Sequence, residues 1–283
     1  MRYFDAKVVQ NRSLGGGYFV LRLSGCESLA TARPGQFVMI RGHWERDPLL
    51  PRAFSLMSVG AGGQAEVLAK TVGRATALLE RTLPGAAIAV LGPLGTNFPE
   101  PTPEAVDLLV AGGVGLPPLY MQAQLAASRQ LAGYSEVVYG GRGSADLVLL
   151  PEMKRMGVGL HLTTEDGSSG RRGRVTTALE ERMEAYQGKP LRIMGCGPNA
   201  MLWAVARLAK QKQIPCFISL EEQMACGIGV CLGCAIPARS RPFRYVCSNG
   251  PVFDAADVLD VAPASSASSP SGAPPSNSGA CLT

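Results

Sequence analysis

The sequence predicts three consecutive units of different class: an antiparallel β-barrel, a parallel-sheet α/β domain and a small cysteine-bearing domain. Three observations carry this. Short apolar runs broken by glycine and proline fill the first hundred residues. Apolar strands then alternate with helical stretches up to about residue 217. Four cysteines follow within residues 226–247, three of them in one glycine-rich loop. The expected boundaries are residues 1–100, 101–217 and 218–260, with a tail over 261–283.

In the first unit the strand candidates are Ala6–Val9, Tyr18–Leu23, Gln36–Ile40, Ala53–Ser58, Ala65–Thr71 and Ala87–Leu91. Turn signals separate them at Gly15-Gly16-Gly17, Pro34-Gly35, Gly62-Gly63 and Pro84-Gly85. Short strands with little helix suggest a closed antiparallel barrel. One helical patch follows Gly73, over 75–80. Within the barrel, Arg52-Ala53-Phe54-Ser55 pairs a guanidinium that can grip a phosphate bidentately with a hydroxyl that can bond a ring nitrogen. Alone this is a weak signal, and a strand edge with a solvated arginine is the plainer reading. Val72-Gly73-Arg74-Ala75-Thr76 adds a second signal. Thr76 and the backbone N–H groups there stand at a helix N-terminus, a natural seat for a pyrophosphate. The loop from Leu91 to Gly95 ends the barrel.

Pro99, Pro101 and Pro103 mark a linker. Beyond it, strands are expected at Val106–Ala111, Glu136–Gly140, Gly159–Thr164, Leu191–Met194 and Phe217–Leu220. Helices are expected at Pro118–Leu131, Asp146–Met156, Arg174–Tyr186 and Pro198–Gln211. The turn Gly112-Gly113-Val114-Gly115 resembles a dinucleotide loop, in which glycines admit phosphates and a helix N-terminus faces them. This makes the domain Rossmann-like, with a nicotinamide dinucleotide as its expected ligand. Pro118 stands where a third glycine would be, which a first helical turn tolerates. A purely structural strand-to-helix turn is the alternative. Gly195-Cys196-Gly197-Pro198 ends a further strand. Ligands bind at strand C-termini in open α/β sheets, so Cys196 is expected beside a ligand rather than in the core. A small buried cysteine is the competing reading. The Thr164–Ser168 segment is expected along the same cleft. No clear basic pair for a 2′-phosphate stands out, although Arg142 is placed for one, so NAD is expected over NADP.

In the third unit, four residues separate Cys226 from Cys231, two separate Cys231 from Cys234, and twelve separate Cys234 from Cys247. The first gaps match the plant-type spacing of [2Fe–2S] sites. Gly227, Gly229 and Gly233 let the backbone approach a cluster closely and offer N–H groups to its sulfurs. A structural zinc site competes, but zinc sites usually pair cysteines as two short knuckles.

Composition bounds the rest. The 283 residues are 46% hydrophobic and 17% charged, enough to bury a core, and the net charge of +5 is spread along the chain. No nucleic-acid partner is expected. His43 and His161 are too few for a histidine-based metal site. The N-terminal residues lack a signal-peptide pattern and no run of eighteen apolar residues exists, so neither export nor a membrane span is expected. Cys26, Cys196, Cys216 and Cys281, left over from the cluster, fit a reducing cytoplasm. The Ala/Ser/Pro/Gly-rich tail cannot build a core and is expected to be disordered.

Barrel, nucleotide fold and two-iron motif in this order resemble the ferredoxin–NADP reductase superfamily, and within it the electron-transfer subunits of two-subunit, NAD-linked dihydroorotate dehydrogenases. The motifs that carry the resemblance are Arg52–Ser55, Leu91–Gly95, Gly112–Pro118, Thr164–Ser168, Cys196–Pro198, Met224–Cys234 and Val246–Phe253. The resemblance implies FAD at Arg52, Ala53, Phe54 and Ser55, at Leu68, Ala69 and Lys70, and at Ala75 and Thr76. It implies NAD at Gly112, Gly113 and Gly115, catalytic contacts by Ser55 near the flavin and Cys196 near the nicotinamide, and cluster ligation by Cys226, Cys231, Cys234 and Cys247. It further implies an FMN-containing catalytic subunit as partner, in a heterotetramer, and a role in pyrimidine biosynthesis. Ala53, Ala75, Gln223 and Asn249 depart from the family's usual proline, glycine, arginine and aspartate. The alternatives are a reductase subunit serving a hydrogenase or a ferredoxin–NADP transhydrogenase complex, and a non-enzymatic scaffold stapled by zinc.

Overall fold

A computed structural model describes residues 1–44 and 47–259. The expected tail over 261–283 and Cys281 lie outside the described residues.

Strands β1 (Arg2–Gly15), β2 (Tyr18–Ser24), β3 (Phe37–Gly42), β4 (Arg52–Gly60), β5 (Gln64–Lys70) and β6 (Ala87–Leu94) close into an antiparallel barrel in the order β1-β2-β5-β4-β3-β6. Helix α1 (Arg74–Glu80) bridges β5 and β6. β1 is far longer than Ala6–Val9 because it serves two neighbours. Its first half pairs with β6 and its second with β2, and a register shift at Val9 bends it between them. Side chains of β2 alternate: Phe19, Leu21 and Leu23 fill the barrel, while Tyr18 and Val20 pack toward the next domain.

The remaining elements are β7 (Val106–Gly112), α2 (Leu116–Ser128), β8 (Ser135–Gly141), α3 (Leu150–Arg155), β9 (Gly159–Thr164), β10 (Arg171–Arg172), α4 (Val175–Ala185), β11 (Leu191–Cys196), α5 (Asn199–Gln211), β12 (Cys216–Ser219), β13 (Ala235–Pro237), β14 (Phe243–Tyr245), α6 (Val246–Asn249), β15 (Val252–Asp254) and α7 (Ala255–Val258). They build a seven-stranded sheet ordered β10-β9-β8-β7-β11-β12-β15, parallel except at its last pair, and the small hairpin β13-β14. β7 is buried along its whole length, as a central parallel strand must be. Its one charge, Asp107, is held bidentately by Arg192 at 2.7 and 2.9 Å. Pro117 and Pro118 sit in the first turn of α2, where no intrahelical N–H is needed.

Two expectations are corrected here. The helix expected over Asp146–Met156 is only α3, because Leu149 takes a left-handed φ of +61° and Asp146 is drawn aside into a contact with the barrel. The boundary after residue 217 falls inside β12. Val252 and Phe253 belong to β15, which pairs antiparallel with β12 through Phe217–Ser219. One buried cluster consequently joins Phe37 and Met39 of the barrel, Leu108 and Ile218 of the sheet, and Cys247 and Phe253 of the last segment.

Candidate functional site

The cysteine loop runs from β12 to β13, and its fourth cysteine lies in α6. Cys234 and Cys247 are buried with their sulfurs 3.3 Å apart. Cys226 and Cys231 lie further out, joined by the Cys231 N–H donating to the Cys226 sulfur at 3.4 Å. Cys226 also accepts from Ile228 N–H at 3.4 Å, and Cys247 accepts from Gly229 N–H at 3.1 Å. Burial pushes the Cys247 thiol up to about 12, and the Cys234 sulfur beside it adds to this. At Cys226 desolvation also works upward, but the N–H groups of Cys231 and Ile228 outweigh it and bring the thiol down to about 6. Gly227 has a φ of +73°, and a Cβ there would stand 2.6 Å from Met39 Cγ, so the loop needs a glycine at this point.

The thiols form two pairs. That suits a cluster with two irons, each taking two cysteines, better than one tetrahedral zinc.

Beside the loop, a cleft of about 680 Å³ lies between barrel and sheet. Its floor is the C-terminal edge of five strands. Gly112 ends β7 and Gly113 follows it, Arg142 follows β8, Glu165 follows β9, Gly197 and Pro198 follow β11, and Glu221 follows β12. Gly115 is buried and is not among the residues lining the cleft; a Cβ there would meet the Cys196 carbonyl and Gly197 N. The barrel contributes Tyr18 and Lys70. Lys70 Nζ meets Asp146 Oδ1 at 2.7 Å, and the Tyr18 hydroxyl donates to the same oxygen at 3.0 Å. Asp146 Oδ2 accepts from Arg142 N–H at 3.1 Å.

Desolvation opposes charge on Asp146, but Lys70, Tyr18 and the Arg142 N–H more than offset it and hold the carboxyl down to about 2. Because it titrates lower folded than unfolded, its contribution is present above the ordinary value of 3.8 and fades as pH falls toward 2. Asp146→Asn is expected to cost about 2 kcal/mol at neutral pH. Urea unfolding of the two proteins in parallel should show the gap closing below about pH 4; a gap unchanged at pH 2 would count against the pairing.

A family model described as the iron–sulfur cluster binding domain of dihydroorotate dehydrogenase B matches residues 221–259, and an oxidoreductase NAD-binding domain matches 109–207. The dihydroorotate dehydrogenase B (NAD⁺) electron-transfer subunit of Geobacillus kaustophilus is 37% identical over 257 residues, covering 89% of this chain and 96% of that one. The chain belongs to this family. The corresponding subunit of Listeria welshimeri is 36% identical over 90% of this chain and 98% of its own. The solved structure of an NADH-dependent reduced ferredoxin–NADP oxidoreductase superposes with a TM-score of 0.78 at 27% identity, covering 89% of each chain. A ferredoxin–NADP⁺ reductase from Neisseria gonorrhoeae, solved with FAD and NADP, matches at a TM-score of 0.64 over 75% of this chain and 92% of its own; at 19% identity it shows the fold alone.

Against the dihydroorotate dehydrogenase B pattern, the expected site residues fall as follows. Arg52 and Ala53 are exposed on β4, Phe54 is buried and Ser55 half-buried. Leu56 pairs with Val67, so the start of β4 lies beside the end of β5, where Leu68 and Ala69 are buried and Lys70 is half-buried. Among the described residues Arg52 meets the carbonyls of Leu50 and Pro51, at 2.9 and 3.2 Å, and no carboxylate. Ala75 is buried at the start of α1. The Thr76 hydroxyl accepts from Val72 and Gly73 N–H at 2.9 and 3.1 Å. Cys196 does not meet its expectation. It is 1% exposed within the core between sheet and barrel, and it does not line the cleft. Burial, with Glu221 nearby, drives its thiol far up, so it stays neutral. Asn249, a departure from the family, accepts from Tyr245 N–H at 2.9 Å and so braces the segment that carries Cys247.

Tyr18, Asp146 and Glu221 were not singled out from the sequence. Tyr18 and Asp146 meet across 128 positions of chain, which no local pattern encodes. Glu221 had a signal: it follows the last parallel strand, where cleft residues are expected.

Proposed function

We propose that the chain passes electrons between an FMN-containing dihydroorotate dehydrogenase catalytic subunit and NAD⁺, in a heterotetramer of two subunits of each kind. The observation that carries this is the two-by-two cysteine pairing placed directly after the strand that ends in the nucleotide cleft. The barrel would hold FAD, the parallel-sheet domain through β12 NAD, and the segment after β12 the cluster. When bound, FAD exchanges hydride chemistry for single-electron chemistry, which the cluster can carry.

The chain's task is to hold and shield. Arg52, with no carboxylate partner among the described residues, suits a phosphate, and the Ser55 hydroxyl and the Leu68–Lys70 backbone offer a ring-binding edge beside it. Cys226, Cys231, Cys234 and Cys247 would ligate the irons, with backbone N–H groups aimed at their sulfurs. The Gly112–Gly115 turn would take the dinucleotide phosphates. Cys196 contributes packing rather than contact. The seven described cysteines are all free thiols, which suits a reducing cytoplasm, and no helix among the described residues is long and apolar enough to cross a membrane.

The test is anaerobic. The chain is co-expressed with its host's dihydroorotate dehydrogenase catalytic subunit and mixed with dihydroorotate. Flavin bleaching, the EPR signal of a reduced [2Fe–2S] cluster and NADH formation on adding NAD⁺ are expected. A complex inert to dihydroorotate yet reduced by NADH would favour the second reading, a subunit of a ferredoxin–NADP oxidoreductase, for which the 0.78 TM-score match speaks.

A further inference from the structure

The cleft is long, and its charges are unevenly spread. Arg142, Glu165 and Arg174 line it near the ends of β8 and β9. Lys70 and Asp146 neutralise each other over its middle, at 2.7 Å. At the β11–β12 end it is lined by Gly197, Pro198, Met201 and one charged side chain, Glu221. Glu221 has no hydrogen bond or ion pair among the described residues. It is exposed along the cleft, while the surrounding walls still desolvate its carboxyl enough to raise its pKa.

Taking the cleft as the NAD site, on which this inference rests, the glycine turn after β7 seats the phosphates and leaves one nucleoside at each end. An acid that follows the glycine turn further along such a fold takes the ribose diol of the adenosine half, and Glu165 stands at that end. The nicotinamide half then lies toward β11 and β12, at Glu221.

We propose that Glu221 recognises the positive charge of the oxidised nicotinamide ring, so that the cleft holds NAD⁺ more tightly than its neutral, reduced form. A pyridinium is a diffuse cation, and in a partly desolvated cleft an unpaired carboxylate attracts it more strongly than water would allow. The same cation lowers the pKa of the carboxyl it faces, which keeps Glu221 charged. The reduced ring carries no charge and gains nothing from the contact. A ligand that binds one redox form better shifts the balance toward that form only by this difference, so Glu221 would load substrate and loosen product when the enzyme makes NADH.

The test uses the cofactor-replete protein in its oxidised state and titration calorimetry at low salt. Three probes separate the contributions: NAD⁺, the uncharged and non-transferring 1,4,5,6-tetrahydro-NAD, and ADP-ribose, which lacks the ring. Glu221→Gln is expected to weaken NAD⁺ about tenfold and leave the other two within about twofold. Glu221→Asp, which keeps the charge, should preserve the preference for NAD⁺. Equal weakening of NAD⁺ and tetrahydro-NAD, or no change in either, would overturn the assignment while sparing the cleft. Failure of the unaltered protein to bind any probe, ADP-ribose included, would overturn the NAD reading and this inference with it.

Discussion

Cys231→Ser is expected to remove the [2Fe–2S] EPR signal and cut partner-linked NAD⁺ reduction by at least about a hundredfold. Dye reduction by NADH should stay within about twofold, because barrel and cleft do not use this residue. Cys231 is an exposed member of the outer thiol pair, so its loss removes a ligand without opening the core. The inner pair, Cys234 and Cys247, is buried, and substitution there would confuse loss of ligation with loss of packing. The measurements are EPR of the dithionite-reduced protein and two assays run side by side. If dye reduction falls as far as partner-linked turnover, the division between flavin and cluster is wrong. Iron-free protein containing zinc would revive the scaffold reading.

The second large effect is expected at Gly115. A Cβ there would collide with the Cys196 carbonyl and stand 2.6 Å from Gly197 N. Both obstacles are backbone, fixed by the pairing of β11 with β7 on one side and β12 on the other. Neither can swing away as a side chain would. Gly115→Ala therefore pushes two cleft-lining turns apart, at about 1–3 kcal/mol of stability. A displacement of roughly 1 Å at a site of this kind costs about a hundredfold in rate. NADH-to-dye turnover should fall by that order while the cluster EPR signal is retained. Unchanged turnover would mean that the dinucleotide does not use this turn.

Much of the architecture was legible because its punctuation is chemical. Glycine and proline mark the barrel turns, and the apolar runs of β7, β8 and β11 have the composition of buried parallel strands. The cysteine spacing survived into geometry because one short loop carries three thiols. What stayed hidden depends on distant partners. Asp146 reads as an ordinary helix residue until Lys70 and Tyr18 arrive from the barrel and shorten that helix. Cys196 has the right position at a strand end but the wrong depth, since the sequence pattern marks the end of a strand and not the direction of its side chain. β15 is three residues long, too short for any alternation to announce it.

That short strand has a consequence for the order in which the molecule can be made. β15 supplies the partner of β12, and just before it Gly250 accepts from Thr96 N–H at 2.6 Å at the exit of the barrel. The piece that knits all the units together leaves the ribosome after every strand it joins. Until then the nascent chain carries an unpaired edge at β12, the kind of edge that recruits foreign strands. The fourth cysteine and the strand that closes the sheet thus arrive together, and a chain interrupted before residue 247 would lack both.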